Sequence, residues 1–317
     1  MSDADTRSRP VAVIAFGGNA LLRPTDHGTQ EEQFTLAWKA TRWLYEIIHR
    51  GYELAIVHGN GPQVGNIMIQ VEEAITKIPP QSLDVAVAQT QGSMGFMLAN
   101  QLRNRFNEEQ LEKEIAAVFT EVVVDREDPA FDNPTKPVGP YFTAYRANLL
   151  MQEEGWQMVE DPSRGWRKVV ASPRPARILG NEYLRNMISD GVVVIAGGGG
   201  GVPVYQDVGG YYRGIEAVID KDRSAALLAT GLGADALLML TDVKAVEANY
   251  GTPEARAIHH ATPEEMRSFD FDAGSMAPKV SAGCSFVETT GGRAGIGALS
   301  DAVAILEGKA GTVIANS

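Results

Sequence analysis

Short apolar runs punctuate the chain, and each stops at glycine or at a polar turn residue. VAVIAF at 11–16 stops at Gly17 and LAIV at 54–57 at His58 and Gly59. AVFTEVVV at 117–124 stops at Asp125, VVVIA at 192–196 at the run Gly197 to Gly201, and ALLML at 236–240 at Thr241 and Asp242. Runs of this length predict strands buried on both faces, as in a parallel sheet covered by helices. Longer segments lie between them. Residues 32–50 place Phe34, Trp38, Leu44, Tyr45 and Ile48 at helical spacing, and 83–106 carry a stripe through Met94, Met97, Leu98 and Leu102. Further helices are expected at 217–229, 276–289 and 301–306. Strand and helix in alternation predict a three-layer α/β/α sandwich with a mostly parallel, open sheet.

One stretch breaks the alternation. Residues 125–178 are rich in proline, from Pro129 through Pro175, yet hold Tyr141, Trp156 and Trp166. Aromatic residues give such a stretch a core of its own, so it reads as a small protruding subdomain inserted within a single domain spanning 1–317.

The glycines carry the first chemical signal. Gly17-Gly18-Asn19, Gly59-Asn60-Gly61 and Gly197 to Gly201 each follow a predicted strand. In an open parallel sheet the carboxyl ends of the strands share one edge, and ligands bind there. Glycine lets backbone approach a ligand closely, and a following helix adds its positive end. A single glycine pair is commonly only a turn, but five consecutive glycines exceed what a turn requires. Phosphate-loop, dinucleotide, zinc-protease and serine-hydrolase motifs are all missing from the sequence. His259 and His260 stand without a further ligand at metal spacing.

Composition narrows the partners. Of 317 residues, 28 are basic and 40 acidic, a net charge of −12. An acidic chain repels nucleic-acid backbones, so an anionic substrate needs a local cationic site. The single cysteine, Cys284, excludes a disulfide framework. No apolar run reaches membrane-spanning length, and MSDADTRSRP has no apolar leader core, which points to the cytoplasm.

Three of the nine lysines sit where an ordinary surface lysine would not. Lys221 and Lys279 fall at predicted helix starts, where the macrodipole disfavours a cation. Lys136 is held between Pro134 and Pro137. A polyanion would compensate such placements. For Lys221, pairing with its neighbours Asp220 and Asp222 is an equally good account, and in a combined reading Asp222 orients lysines whose charge faces a ligand.

With these residues in view, the chain resembles the carbamate kinases of the amino acid kinase superfamily. The resemblance runs through FGGNALL (16–22), VHGNGPQVG (57–65), QTQGSMGFML (89–98), EDPAFDNPTKPVGPY (127–141), GWRKVVASPRP (165–175), IAGGGGGVPV (195–204), GIEAVIDKD (214–222), LLMLTDV (237–243) and AGSMAPKV (273–280). It implies a dimeric cytoplasmic enzyme of carbamoyl phosphate and arginine metabolism, transferring a phosphoryl group reversibly between ATP and carbamate. Magnesium would be held mainly by the nucleotide phosphates rather than by protein side chains. The resemblance also implies roles. Lys221 and Lys279 neutralise the phosphoryl groups, Asp222 orients them, and Lys136 is a lid lysine over the carbamoyl phosphate end. Gly17, Gly18, Asn19, Gly59, Asn60 and Gly61 cradle the acceptor. Gly198, Gly199, Thr241, Asp242, Val243, Tyr250 and Met276 belong to the nucleotide side. The chain departs from the family pattern at Phe16, Ala171, Lys244 and Ala277. Ala277 replaces a glycine and is expected to shift the loop before Lys279 if positive φ is needed there. The alternatives are a superfamily kinase for another acyl acceptor and a nucleotide-binding regulator without catalysis.

Overall fold

The structure is a computed structural model that describes residues 9–17, 28–271 and 276–316. Its centre is an eight-stranded sheet of β1 (Val11–Phe16), β2 (Glu53–His58), β3 (Ile115–Ala117), β9 (Val193–Ile195), β12 (Ala236–Thr241), β15 (His260–Ala261), β16 (Arg293–Ala298) and β17 (Thr312–Ile314). The spatial order is β15-β17-β16-β12-β1-β2-β9-β3. Pairing is parallel from β16 to β3, and only β16 and β17 run antiparallel to each other.

Alternation along β1 explains the layers. Ala12, Ile14 and Phe16 pack toward α1 (Gln30–His49), α3 (Leu83–Glu108) and α9 (Ala302–Leu306). Val13 and Ala15 pack the other way, toward α5 (Asn181–Ser189), α6 (Lys221–Leu232) and α8 (Met276–Thr290). All five of these β1 side chains are fully buried, which is why the strand reads as an unbroken apolar run. The expected α/β/α sandwich is therefore the observed one.

Three smaller sheets accompany it among the described residues. β4 (Glu121–Val124), β8 (Pro175–Ile178), β10 (Val202–Gln206) and β11 (Tyr212–Gly214) form a four-stranded sheet in the order β11-β10-β4-β8. β5 (Lys136–Phe142), β6 (Met158–Asp161) and β7 (Gly165–Val170) form a three-stranded antiparallel sheet that carries α4 (Ala144–Glu153). Its β5 packs on α2 (Gly61–Ala74). β13 (Val246–Ala248) and β14 (Arg256–Ile258) make a hairpin, and α7 (Pro263–Arg267) lies against α8.

Two expected elements are corrected. The run 117–124 is not one strand: it ends β3 in the central sheet and resumes as β4 in the four-stranded one. Thr120, at the crossing, is 1% exposed and is held by Gln91, whose Oε1 accepts its amide at 2.9 Å. The helix expected over 217–229 begins only at Lys221. Upstream, Ala217 bridges to Ala171 and the Val218 amide donates to the Ala171 carbonyl at 3.0 Å, so this backbone is extended.

Candidate active site

Strands β12, β1, β2 and β9 are parallel neighbours, so their carboxyl ends meet at one edge. Gly17, Gly59 and Gly197 follow there directly, and the Gly59 amide donates to the Phe16 carbonyl at 2.9 Å. Gly18 and Asn19 lie outside the described residues.

Helix α3 holds the other two loops in place. Asn60 donates through Nδ2 to Thr90 Oγ1 at 2.8 Å. Gln91 donates through Nε2 to the carbonyls of Gly198, at 3.0 Å, and Thr120, at 3.2 Å. Thr120 Oγ1 in turn accepts the Gly197 amide at 2.9 Å. Asn60 thus spends its side chain on Thr90 instead of capping α2, which it precedes. The first-turn amides of α2, beginning at Gly61, keep their positive end open toward the strand edge.

The glycine run is required by close approach. Gly197, Gly199, Gly200 and Gly201 all have φ between 64° and 94°. A Cβ on Gly198 would run into the His58 ring, one on Gly199 into the Asn60 amide, and one on Gly200 into the Ile219 carbonyl. Gly198 therefore interlocks with His58 at the end of β2, and Gly199 with Asn60 in the loop that follows.

Burial keeps His58 neutral: its pKa falls from 6.5 to about 4, with the imidazole Nδ1 against the Gly59 carbonyl at 3.1 Å. The unfolded chain binds this proton more tightly, so His58 costs stability as pH falls from about 6.5 to about 4 and costs no more below that. The loss expected over that window is about 3 kcal/mol. Urea denaturation at a series of pH values should show this slope in the parent chain and lack it in His58→Gln.

The lysines converge at the starts of α6 and α8. Asp222, 2% exposed, receives Lys221 Nζ on both oxygens at 3.1 Å and Lys279 Nζ on Oδ2 at 2.9 Å. Burial raises the Asp222 pKa, but the two ammonium groups outweigh it and hold the carboxyl below its usual range. Lys136, at the start of β5, brings its ammonium to 3.8 Å from Asp220 Oδ2. Ser224 ties the same helix to the glycine run, donating to the Gly200 carbonyl at 2.6 Å. Of its two neighbouring carboxylates Lys221 thus pairs with Asp222, while Asp220 pairs with Lys136. Ala277 lies within α8 and does not have positive φ, so alanine fits the backbone at its own position, and residues 272–275 before it lie outside the described residues.

Beside the end of β12 a cavity of about 620 Å³ gathers Val243, Tyr250 and Met276, three of the residues expected on the nucleotide side. Lys244, His259 and Phe271 line it too. Thr241 closes β12, and Asp242 follows directly before Val243. The structure thus brings Lys136, Lys221, Lys279 and Asp222 together, and it sets Val243, Tyr250 and Met276 in a separate cavity. Thr90 and Gln91 were not expected as site residues, because each acts through one hydrogen bond network and carries no charge. Among the described residues no three His, Cys, Asp or Glu side chains are placed to hold a metal, and no helix is long and apolar enough to cross a membrane.

A parallel α/β/α sandwich that sets paired lysines beside glycine loops at its strand ends, with a nucleotide-sized cavity alongside, defines a phosphotransferase. The family model for the amino acid kinase family matches residues 10–296. A carbamate kinase of Pyrococcus horikoshii is 44% identical, over 95% of this chain and 98% of its own. One of Escherichia coli K12 is 45% identical, over 95% and 98%. The carbamate kinase of Giardia lamblia bound to AMP-PNP superposes with a TM-score of 0.94 at 37% identity, covering 98% of this chain and 99% of its own. The chain belongs to the amino acid kinase family and, within it, to the carbamate kinases.

Proposed function

We propose that this site transfers a phosphoryl group reversibly between ATP and carbamate. In the direction that makes ATP, carbamoyl phosphate and ADP give ATP and carbamate, which decomposes to ammonia and carbon dioxide. The observation that carries the reading is the sharing of buried Asp222 by Lys221 and Lys279, next to the glycine run.

A carbamate oxygen is already anionic, so its attack on the terminal phosphorus requires no general base. The phosphorus–oxygen bond to the departing ADP breaks as the new one forms. The barrier is repulsion between two anions, and positioning and preorganised positive charge lower it. Lys221 and Lys279 lie on the phosphoryl path, with Asp222 fixing their ammonium groups. The Gly17 and Gly59-Asn60-Gly61 loops, with Gly18 and Asn19, form the acceptor cradle. Gly198 and Gly199 support that cradle from beneath. Thr241, Asp242, Val243, Tyr250 and Met276 line the approach of the nucleotide. The charged side chains at the centre are committed to one another, which suits a magnesium ion that arrives on the nucleotide phosphates. When bound, that ion supplies further neutralisation of the phosphates.

The segment carrying Lys136 acts as a lid within the single 1–317 domain. Lys136→Ala is expected to raise the KM for carbamoyl phosphate about tenfold with little change in the KM for ADP, the size of one charge-assisted contact. Equal losses on both substrates would remove the lid role. We further propose a cytoplasmic homodimer working in arginine or carbamoyl phosphate metabolism, a state that sedimentation equilibrium would check.

The reaction is tested by ATP formation from ADP and carbamoyl phosphate, with and without magnesium. Acetyl phosphate offered with ADP, and amino acids offered with ATP and read by ADP formation, address another acyl acceptor. ATP formation from carbamoyl phosphate, with neither acetyl phosphate nor the amino acids turned over, supports the reading, and none from carbamoyl phosphate overturns it.

A further inference from the structure

Asp220 holds a negative charge at the rim of a site built for anions. Its backbone is extended, at φ −68° and ψ 123°, and it caps α6. Oδ1 accepts the amides of Asp222 at 3.0 Å and Arg223 at 3.3 Å. The carboxylate is therefore tied to the turn that carries Lys221 and Asp222, and it cannot swing away from the site. Capping explains an oxygen at this position but does not require a charge, since asparagine and serine cap about as well as aspartate. The charge needs a reason of its own.

Lys136 supplies one. Its Nζ stands 3.8 Å from Asp220 Oδ2, beyond hydrogen-bond length, so the contact is an ion pair between the lid segment and the body. The Asp220 side chain is 16% exposed and that of Lys136 is 41% exposed. The lysine is thus the more exposed partner, and the carboxylate, held by two amides, is the fixed one.

We propose that Asp220 is a positioning residue that keeps the Lys136 ammonium at the rim until the phosphoryl group of the substrate takes its place. This deepens the reading of Lys136 as a lid lysine and rests on it. The fixed carboxylate and the incoming phosphoryl oxygens compete for one ammonium, so the charge on Asp220 sets how readily the lid lysine is given up. The ion pair orients Lys136 toward the site when no anion is present and weakens anion binding by the same interaction.

Asp220→Asn keeps the cap and removes the competitor. A half-exposed ion pair of this kind is worth up to about fivefold in an equilibrium. The KM for carbamoyl phosphate should fall about three- to fivefold, with the KM for ADP unchanged. In a Lys136→Ala background the same substitution should change nothing, because no ammonium remains to be released. Asp220→Ala, which also loses the cap, should lower the midpoint of urea denaturation, and Asp220→Asn should restore it.

Calorimetric titration of inorganic phosphate without nucleotide reads the same release without turnover. Asp220→Asn should bind phosphate about three- to fivefold more tightly, and Lys136→Ala with Asp220→Asn no more tightly than Lys136→Ala alone. An unchanged phosphate affinity in Asp220→Asn overturns the proposal. So does an equal gain in both backgrounds, which would mark a general field effect. Because phosphate binding does not depend on the reaction, a chain inactive on carbamoyl phosphate would sink the proposed activity and leave this measurement still decisive.

Discussion

Lys221→Ala is expected to lower turnover at least about a hundredfold while the chain stays folded. One preorganised donor to developing charge is worth about 3–4 kcal/mol of transition-state stabilisation, and Lys221 is the donor proposed here. Its ammonium is held on both oxygens of a carboxylate that does not move with solvent. The fold should tolerate the change because alanine is a better helix former and because the first turn of α6 disfavours a cation. Lys279 still neutralises Asp222. Steady-state turnover beside far-ultraviolet circular dichroism checks the expectation, and turnover near the parent rate would remove Lys221 from the chemistry. Lys221→Arg should recover only part of the rate, since a planar fork cannot occupy the position of a compact ammonium.

The second large effect falls on stability. Asp222→Asn should destabilise the fold by about 3–5 kcal/mol, the usual cost of removing one partner from a buried charge cluster. Two ammonium groups would then face each other across a neutral amide at a position 2% exposed. The loss appears in urea midpoints at constant slope. Added inorganic phosphate should recover part of it, because an anion between the lysines supplies the missing charge. A change below about 0.5 kcal/mol, typical of a surface substitution, would show that the carboxylate does not organise the lysines.

The acid limb gives a second reading of the same group. The Asp222 pKa is depressed in the folded state, so its contribution is present above the ordinary carboxylate value of 3.8 and is lost as pH falls through the lower folded value. His58 acts in a different window, between about 6.5 and about 4. The two contributions therefore separate along one pH series, and Asp222→Asn should abolish only the lower one.

Much of the fold was legible because burial on both faces leaves a local mark. β1, β2 and β12 are wholly or almost wholly buried, and their sequences are apolar except at the ends, where β2 carries Glu53 and His58 and β12 carries Thr241. The failures share one cause. In 117–124 two β-rich pieces adjoin, and no local signal tells that one pairs with β9 and the other with β10. Residues 217–220 are as compatible with helix as those after them, and the bridge to Ala171, 46 positions away, keeps them extended. The four-stranded sheet went unread for the same reason: its strands come from distant parts of the chain.

The site divides in a similar way. Charge in an unfavourable place is a local property, so Lys221 and Lys279 stood out beside helix starts and Lys136 between prolines. Glycine in excess of any turn is local too, and it marked the strand edge. Which partners those groups would find is not local. Only the packing of α6 on α8 puts two lysines 58 residues apart onto one carboxylate, and only α3 crossing behind β2 and β9 lets Thr90 and Gln91 grip the loops. The same packing sets Gly198 against His58 and Gly199 against Asn60. The amino-acid order alone therefore determined the layers, the edge and the cations, since hydrophobic period, backbone freedom and charge are written residue by residue. The sharing of Asp222, the anchoring of the glycine run and the pairing of Lys136 with Asp220 were decided by tertiary structure, because each is a distance between groups that the chain holds far apart.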